Sequence, residues 1–131
     1  MRRALWPDGS AGEHEEEIER FLSGRSGEPL AVLIADESTQ GPVGFVELSR
    51  ASAEGCRTSR IAYLEGWFVA PHARRQGVGR QLVDAAEGWG RAQGCTELAS
   101  DSAPDNLASL AAHRAIGFVD VGSIQCHRKD L

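Results

Sequence analysis

A strand that stops at a proline and re-enters a helix through two closely spaced glycines constrains this chain more than any other feature. Ile61 to Val69 is rich in aromatic and β-branched residues and ends before Pro71. The next pattern opens at Gly77-Val78-Gly79 and spaces Leu82, Ala85, Ala86, Trp89 and Ala92 as one face of a helix, with Gly94 as its stop. Cys95 to Ala99 then reads as a short strand. A strand–helix–strand unit implies parallel pairing in the centre of a sheet. Around this unit, Glu13 to Leu22 reads as a helix with an acidic first turn and an apolar stripe at Ile18, Phe21 and Leu22. Leu30 to Ala35 and Val43 to Ser49 read as an antiparallel hairpin with a loose loop. Asp105 or Asn106 is placed to cap a helix carrying Leu107, Leu110, Ala111 and Ile116, closed by Gly117. Phe118 to His127 reads as a final strand, broken near Gly122. The expected fold is α/β (α+β): a mixed sheet with parallel central strands, flanked by helices.

The 131 residues suit one domain, 1–131, large enough to fold without disulfides. Cys56, Cys95 and Cys126 are odd in number and far apart, the pattern of reduced thiols rather than of a disulfide framework or a zinc site. No apolar run is long enough to cross a bilayer, and Met1 to Pro7 lacks the apolar segment of a signal peptide. A cytoplasmic protein with no membrane partner is expected. The net charge of −5 argues against a nucleic-acid partner and suits a cationic one.

The chemistry begins where the strand meets the helix. Phe68-Val69-Ala70-Pro71 leads through Arg74-Arg75-Gln76 into Gly77-Val78-Gly79-Arg80. Glycines at a helix start let a bulky anion approach the backbone. Unpaired amides of the first turn and the helix dipole then attract it, and nearby arginines add positive potential. The plainer alternative is a tight turn in a solvated basic loop. No Gly-Lys-Ser/Thr ending makes this a nucleotide P-loop, and no third glycine makes it a dinucleotide fingerprint.

The Arg-x-x-Gly-x-Gly segment from Arg74 to Gly79, behind an aromatic-Val-x-Pro strand end, resembles that of the GCN5-related N-acetyltransferase superfamily. Asn106, His113 and Gly117-Phe118 match a second stretch of it. The resemblance implies acetyl-coenzyme A as cosubstrate and no metal. It implies backbone roles for Phe68, Val69, Gln76, Gly77, Val78, Gly79 and Arg80, with Arg74, Asn106 and His113 as further coenzyme contacts. His113 stands where many relatives carry a tyrosine that protonates the departing thiolate, so the acid assignment stays open. Leu5-Trp6-Pro7, Tyr63 to Val69, Gly94 to Glu97, Ala99 to Ser102 and Arg128-Lys129 are similar to bacterial aminoglycoside 6′-N-acetyltransferases. That resemblance implies that Trp6, Glu65 and Asp101 line an acceptor pocket, that the substrate is a small cationic aminoglycoside, that resistance to it follows, and that the chain forms a homodimer, through its C-terminal strand. The chemistry agrees: a polycationic sugar needs carboxylates for its ammonium groups and an indole face for a ring.

Each residue has a plainer alternative: a basic partner for Glu65, a turn for Asp101, packing for Trp6, a cap for Asp105, packing for His113. Trp67 and Trp89 read as core. For transfer, the acceptor ammonium must first lose a proton, and a carboxylate that takes it typically contributes ~10²–10⁴ in rate. Asp101 is assigned that role with Glu65 orienting the amine, and the two are exchangeable. A main-chain N–H near Val69 faces the charge that develops on the acetyl oxygen. Members of this family open with a strand and a full helix before Trp-Pro, whereas Met1 to Leu5 is all that precedes Trp6 here; an absent first strand and a clipped helix are expected. Two other classes remain: an acetyltransferase for another small amine or a protein N-terminus, and a non-catalytic coenzyme-binding remnant.

Overall fold

The computed structural model describes residues 1–130. Its elements are helix α1 (Arg2–Leu5), helix α2 (Ala11–Leu22), strands β1 (Ala31–Glu37), β2 (Gly41–Ser49) and β3 (Ile61–Val69), a 3₁₀ turn (Pro71–Ala73), helix α3 (Val78–Ala92), strand β4 (Glu97–Ser100) and helix α4 (Leu107–Ala115). The sheet order is β1-β2-β3-β4. β1–β2 and β2–β3 are antiparallel, and β3–β4 is parallel, from Ile61 opposite Glu97 to Leu64 opposite Ser100. The expected mixed sheet with a parallel crossover through α3 is therefore present.

One irregularity sets the two faces of the sheet. Glu47 lies opposite Gly66, but Leu48 lies opposite Leu64, so β3 carries Glu65 as an extra residue. A strict two-residue alternation would put Leu64 and Trp67 on opposite faces. The bulge lets both pack against α3. Val46, Leu48 and Leu64 meet Leu82, Val83 and Ala86 of α3 in the main core. The other face carries Phe45 and Phe68, whose rings sit 6.0 Å apart, with Trp6 6.3 Å from Phe45. β2 is buried from Val43 to Ser49 because both faces are covered.

α2 begins two residues before the expected start. Ser10 caps it by accepting from the Glu13 amide at 3.2 Å, and the Glu13 carboxylate accepts from the Ser10 amide at 2.7 Å. Such a reciprocal box satisfies two otherwise orphaned donors. α1 is a helical turn, and no strand precedes β1 among the described residues.

The final strand expected over Phe118 to His127 does not form. Phe118 folds back edge-on to His113, 5.2 Å away, and Arg114 holds Asp120 at 2.5 Å, which pins the start of this segment to α4. A strand needs a ladder and a face to bury. Here Val119, Val121 and Ile124 stay 76%, 57% and 73% exposed, and Gly122 interrupts their alternation.

Candidate active site

The segment expected to meet the coenzyme follows the C-terminal end of β3. Arg75 (φ 61°) and Gly77 (φ 85°) both take the left-handed conformation, and Gly77 opens α3 without any side-chain cap. A β-carbon added to Gly77 would meet nothing within 4 Å, so the approach to this turn is open. Two side chains hold the loop. Arg74 Nε donates to the Val69 carbonyl at 2.9 Å, and Gln76 Nε2 donates to the His72 carbonyl at 3.0 Å. The amides of Arg75, Gln76, Gly77, Val78, Gly79 and Arg80 find no acceptor among the described residues. No acidic residue stands in the first turn of α3. Consecutive free amides at the positive end of a long helix, with arginines alongside, make a seat for a phosphate anion.

The remaining residues expected on this side have partners within the protein. Gly79 lies against the Trp67 ring, which a β-carbon would approach to 3.0 Å. The Arg80 guanidinium donates to the Ala115 carbonyl at 3.1 Å and ties α3 to the end of α4. Asn106 Oδ1 accepts from the Ser109 amide at 3.1 Å and caps α4. His113 is held between Trp67 and Phe118, with Nδ1 2.8 Å from the Ser109 carbonyl and Nε2 3.0 Å from Ser100 Oγ. A carbonyl only accepts, so Nδ1 carries a proton, and Nε2 is turned toward Ser100. Phe68 is buried against Phe45, which leaves its main chain as the group available at the strand end.

Trp6, Glu65 and Asp101, the residues expected to line the acceptor pocket, each have partners within the protein. Trp6 covers Gly66 so closely that a β-carbon there would stand 2.6 Å from the indole. The bulge residue Glu65 accepts from the Ser49 hydroxyl. Asp101, just beyond β4, accepts from the Tyr63 hydroxyl at 2.5 Å. Among the described residues neither Glu65 nor Asp101 pairs with a basic side chain, and both are exposed. The basic partner offered for Glu65 as the plainer alternative is therefore absent.

Sequence reasoning missed three neighbours of these residues. Glu47, 5% exposed, lies opposite Gly66 and close enough to Glu65 for their charges to repel. Burial lifts its carboxyl above the usual range, and Arg2 works against that rise. Arg2 Nε stands 2.6 Å from Glu47, its Nη1 2.5 Å from Glu17, and its guanidinium 4.9 Å from the centre of the Trp6 ring. Tyr63 is the third: burial first, and then Asp101, push its phenol above its ordinary value. Glu47 alternates with buried Val46 and Leu48, and an acid inside an apolar strand was the available signal. The described residues contain no cluster of His, Cys, Asp and Glu able to hold a metal ion, and no described helix is long and apolar enough to cross a membrane.

Comparison with known proteins matches residues 1–118 to the acetyltransferase (GNAT) family. The chain is 54% identical to aminoglycoside N(6′)-acetyltransferase type 1 of Klebsiella aerogenes, covering 100% of this chain and 87% of that one. It is 38% identical to the protein of that name from Stenotrophomonas maltophilia, with 100% and 84% covered. Its backbone superposes with a TM-score of 0.88 on AAC(6′)-Iy in complex with the bisubstrate analogue CoA-S-monomethyl-acetylneamine, at 34% identity and with 100% and 88% covered.

Proposed function

From the premise that the chain belongs to the acetyltransferase (GNAT) family, we propose that it transfers the acetyl group of acetyl-coenzyme A to the 6′-amine of an aminoglycoside and thereby confers resistance. The observation that carries the acceptor assignment is the pair of exposed carboxylates, Glu65 and Asp101, with hydroxyl but no basic partners among the described residues, and with Trp6 against Gly66, next to Glu65. A polycation supplies the missing positive charge, and the indole face packs a sugar ring. The coenzyme assignment rests on the free amides from Arg75 to Arg80, a seat for the pyrophosphate.

Acetyl-coenzyme A, when bound, supplies the electrophilic thioester carbonyl. Asp101 takes a proton from the 6′-ammonium while Glu65 orients it. The freed nitrogen bonds to the acetyl carbon in direct attack within a ternary complex, the carbon–sulfur bond breaks, the nitrogen gives its second proton to solvent, and the thiolate takes a proton from solvent. A main-chain N–H near Val69 faces the charge on the acetyl oxygen, a donor typically worth ~10²–10³ in rate. The three cysteines have no part in this, because direct attack needs no acyl-enzyme.

The same reading takes 1–131 as a single cytoplasmic domain that pairs with a second copy. The apolar, uncovered Val119, Val121 and Ile124 support the C-terminal segment as the surface that pairs. Light scattering should give twice the 14.1 kDa chain mass.

Release of free thiol from acetyl-coenzyme A tests the reaction, with kanamycin, tobramycin, gentamicin, spermidine and a lysine peptide as acceptors. Turnover confined to aminoglycosides with a free 6′-amine is expected. Turnover on spermidine or the peptide alone would keep the transfer chemistry and discard the aminoglycoside. Coenzyme binding with no turnover on any amine would make the chain a binding module.

A further inference from the structure

The two carboxylates of the acceptor face are held in the same way. Ser49 offers its hydroxyl to Glu65, and Tyr63 offers its phenol to Asp101 at 2.5 Å. Tyr63 reaches Asp101 because of its place in the sheet. It lies opposite Ser49 on one side and opposite Ala99 of β4 on the other, two residues before Asp101. It therefore leans across β4 on the face that carries Glu65. Asp101 is exposed at the end of a four-residue strand, and no other hydrogen bond to its carboxylate is made among the described residues.

We propose that Tyr63 is the positioning residue of Asp101: its hydroxyl fixes one carboxylate oxygen and leaves the other aimed at the acceptor ammonium. This rests on the reading of Asp101 as the group that takes the proton. The alternatives for an exposed aspartate are free rotation or a salt bridge. Rotation spreads the carboxylate over several rotamers and lowers the fraction in reacting geometry. A basic partner would neutralise the charge that attracts the ammonium. A neutral hydroxyl donor avoids both. The phenol's raised resistance to ionisation, set by burial and by Asp101, keeps the donor proton in place at working pH. Ser49 gives Glu65 the same treatment, so the face keeps its negative charge while each carboxylate is held in position.

Tyr63 is the only tyrosine in the chain, so ¹³Cζ-tyrosine labelling gives a single NMR signal to follow. That signal should move in Asp101→Asn and move again when kanamycin is added to the native protein. Tyr63→Phe keeps the ring and removes only the hydroxyl. It should melt like the native protein and bind acetyl-coenzyme A unchanged, yet lose about 10–100-fold in kcat, the worth of one hydrogen bond to a charged group. A packing role would leave kcat of Tyr63→Phe at the native value, and that result overturns the proposal, as does a tyrosine signal indifferent to Asp101→Asn. If Asp101→Asn itself keeps native turnover, the assignment of Asp101 fails and the proposal falls with it. If Asp101→Asn is inactive and Tyr63→Phe is native, the proposal alone fails.

Discussion

Arg2 serves two carboxylates and one indole at once. Its guanidinium touches Glu47 and Glu17 and covers Trp6, so a residue in a four-residue helix meets both a buried acid and an indole ring. Glu47 is the weak point of this arrangement, because burial lifts its carboxyl even with Arg2 present. Arg2→Ala should cost about 1–3 kcal/mol at neutral pH, since the loss of one partner leaves a buried acceptor uncompensated. Glu47→Gln in the same chain should recover most of that, because a neutral amide needs no counter-ion. Urea unfolding of the four members of the cycle isolates the coupling. The sign of the pH dependence follows from the raised carboxyl. A group with a raised folded value stabilises fully below its unfolded value, about 4.3 for glutamate, and loses that contribution as pH rises through the folded value. The cost of Arg2→Ala should therefore shrink as pH falls toward the ordinary glutamate range. A cost independent of pH would mean that Arg2 acts through packing on Trp6 rather than through Glu47.

On the proposed reading, the turn between β3 and α3 is the element on which coenzyme binding depends. Gly77 sits at φ 85°, a conformation that costs a residue with a β-carbon roughly 1–2 kcal/mol. Space is not the obstacle, because nothing lies within 4 Å of an added β-carbon. Gly77→Ala should thus fold, but shift the turn and misalign the free amides. Calorimetry should show about a tenfold loss of coenzyme A affinity with the acceptor KM little changed; equal loss of both would make the turn a general scaffold. This element was legible in the sequence because its punctuation is local: Pro71 ends β3, Gly77 opens α3, and Gly94 closes it, and the ends of β3 fall as read. The start of α2 was equally local, written as Ser10-x-x-Glu13, and was overlooked. The bulge at Glu65 was not legible, because Leu64, Trp67 and Val69 are apolar in either register and only the pairing with β2 reveals the extra residue. Val119 and Val121 alternate like a strand, but alternation states a preference, and a ladder must exist to satisfy it. Arg2 and Glu47 meet across 45 positions, and Tyr63 and Asp101 across 38, contacts that no spacing encodes.

Over the whole molecule, β3 acts as a ruler between two opposite fields. On the proposed reading, Tyr63, Glu65 and Gly66 mark the acceptor stretch and Val69 the coenzyme end, a span of about 20 Å from Tyr63 to Val69 at strand spacing. One end gathers Glu17, Glu47, Glu65 and Asp101 against the single guanidinium of Arg2. The other gathers Arg74, Arg75 and Arg80 around a helix N-terminus free of acids. A net charge of −5 therefore conceals a dipolar arrangement, with each end matched to a reactant of opposite sign. The two ends should respond differently to salt. Raising ionic strength from about 0.01 M to 0.15 M shortens the screening length from ~30 Å to ~8 Å. A polycationic acceptor drawn by exposed carboxylates loses that attraction, so its KM should rise several-fold. The anionic coenzyme is repelled at long range by the negative whole and held at short range by backbone amides, and screening weakens both effects, so its affinity should change less. Steady-state kinetics at fixed pH with potassium chloride as the variable separates the two constants. An acceptor KM that does not respond to salt would mean that shape against Trp6, rather than charge on Glu65 and Asp101, selects the substrate.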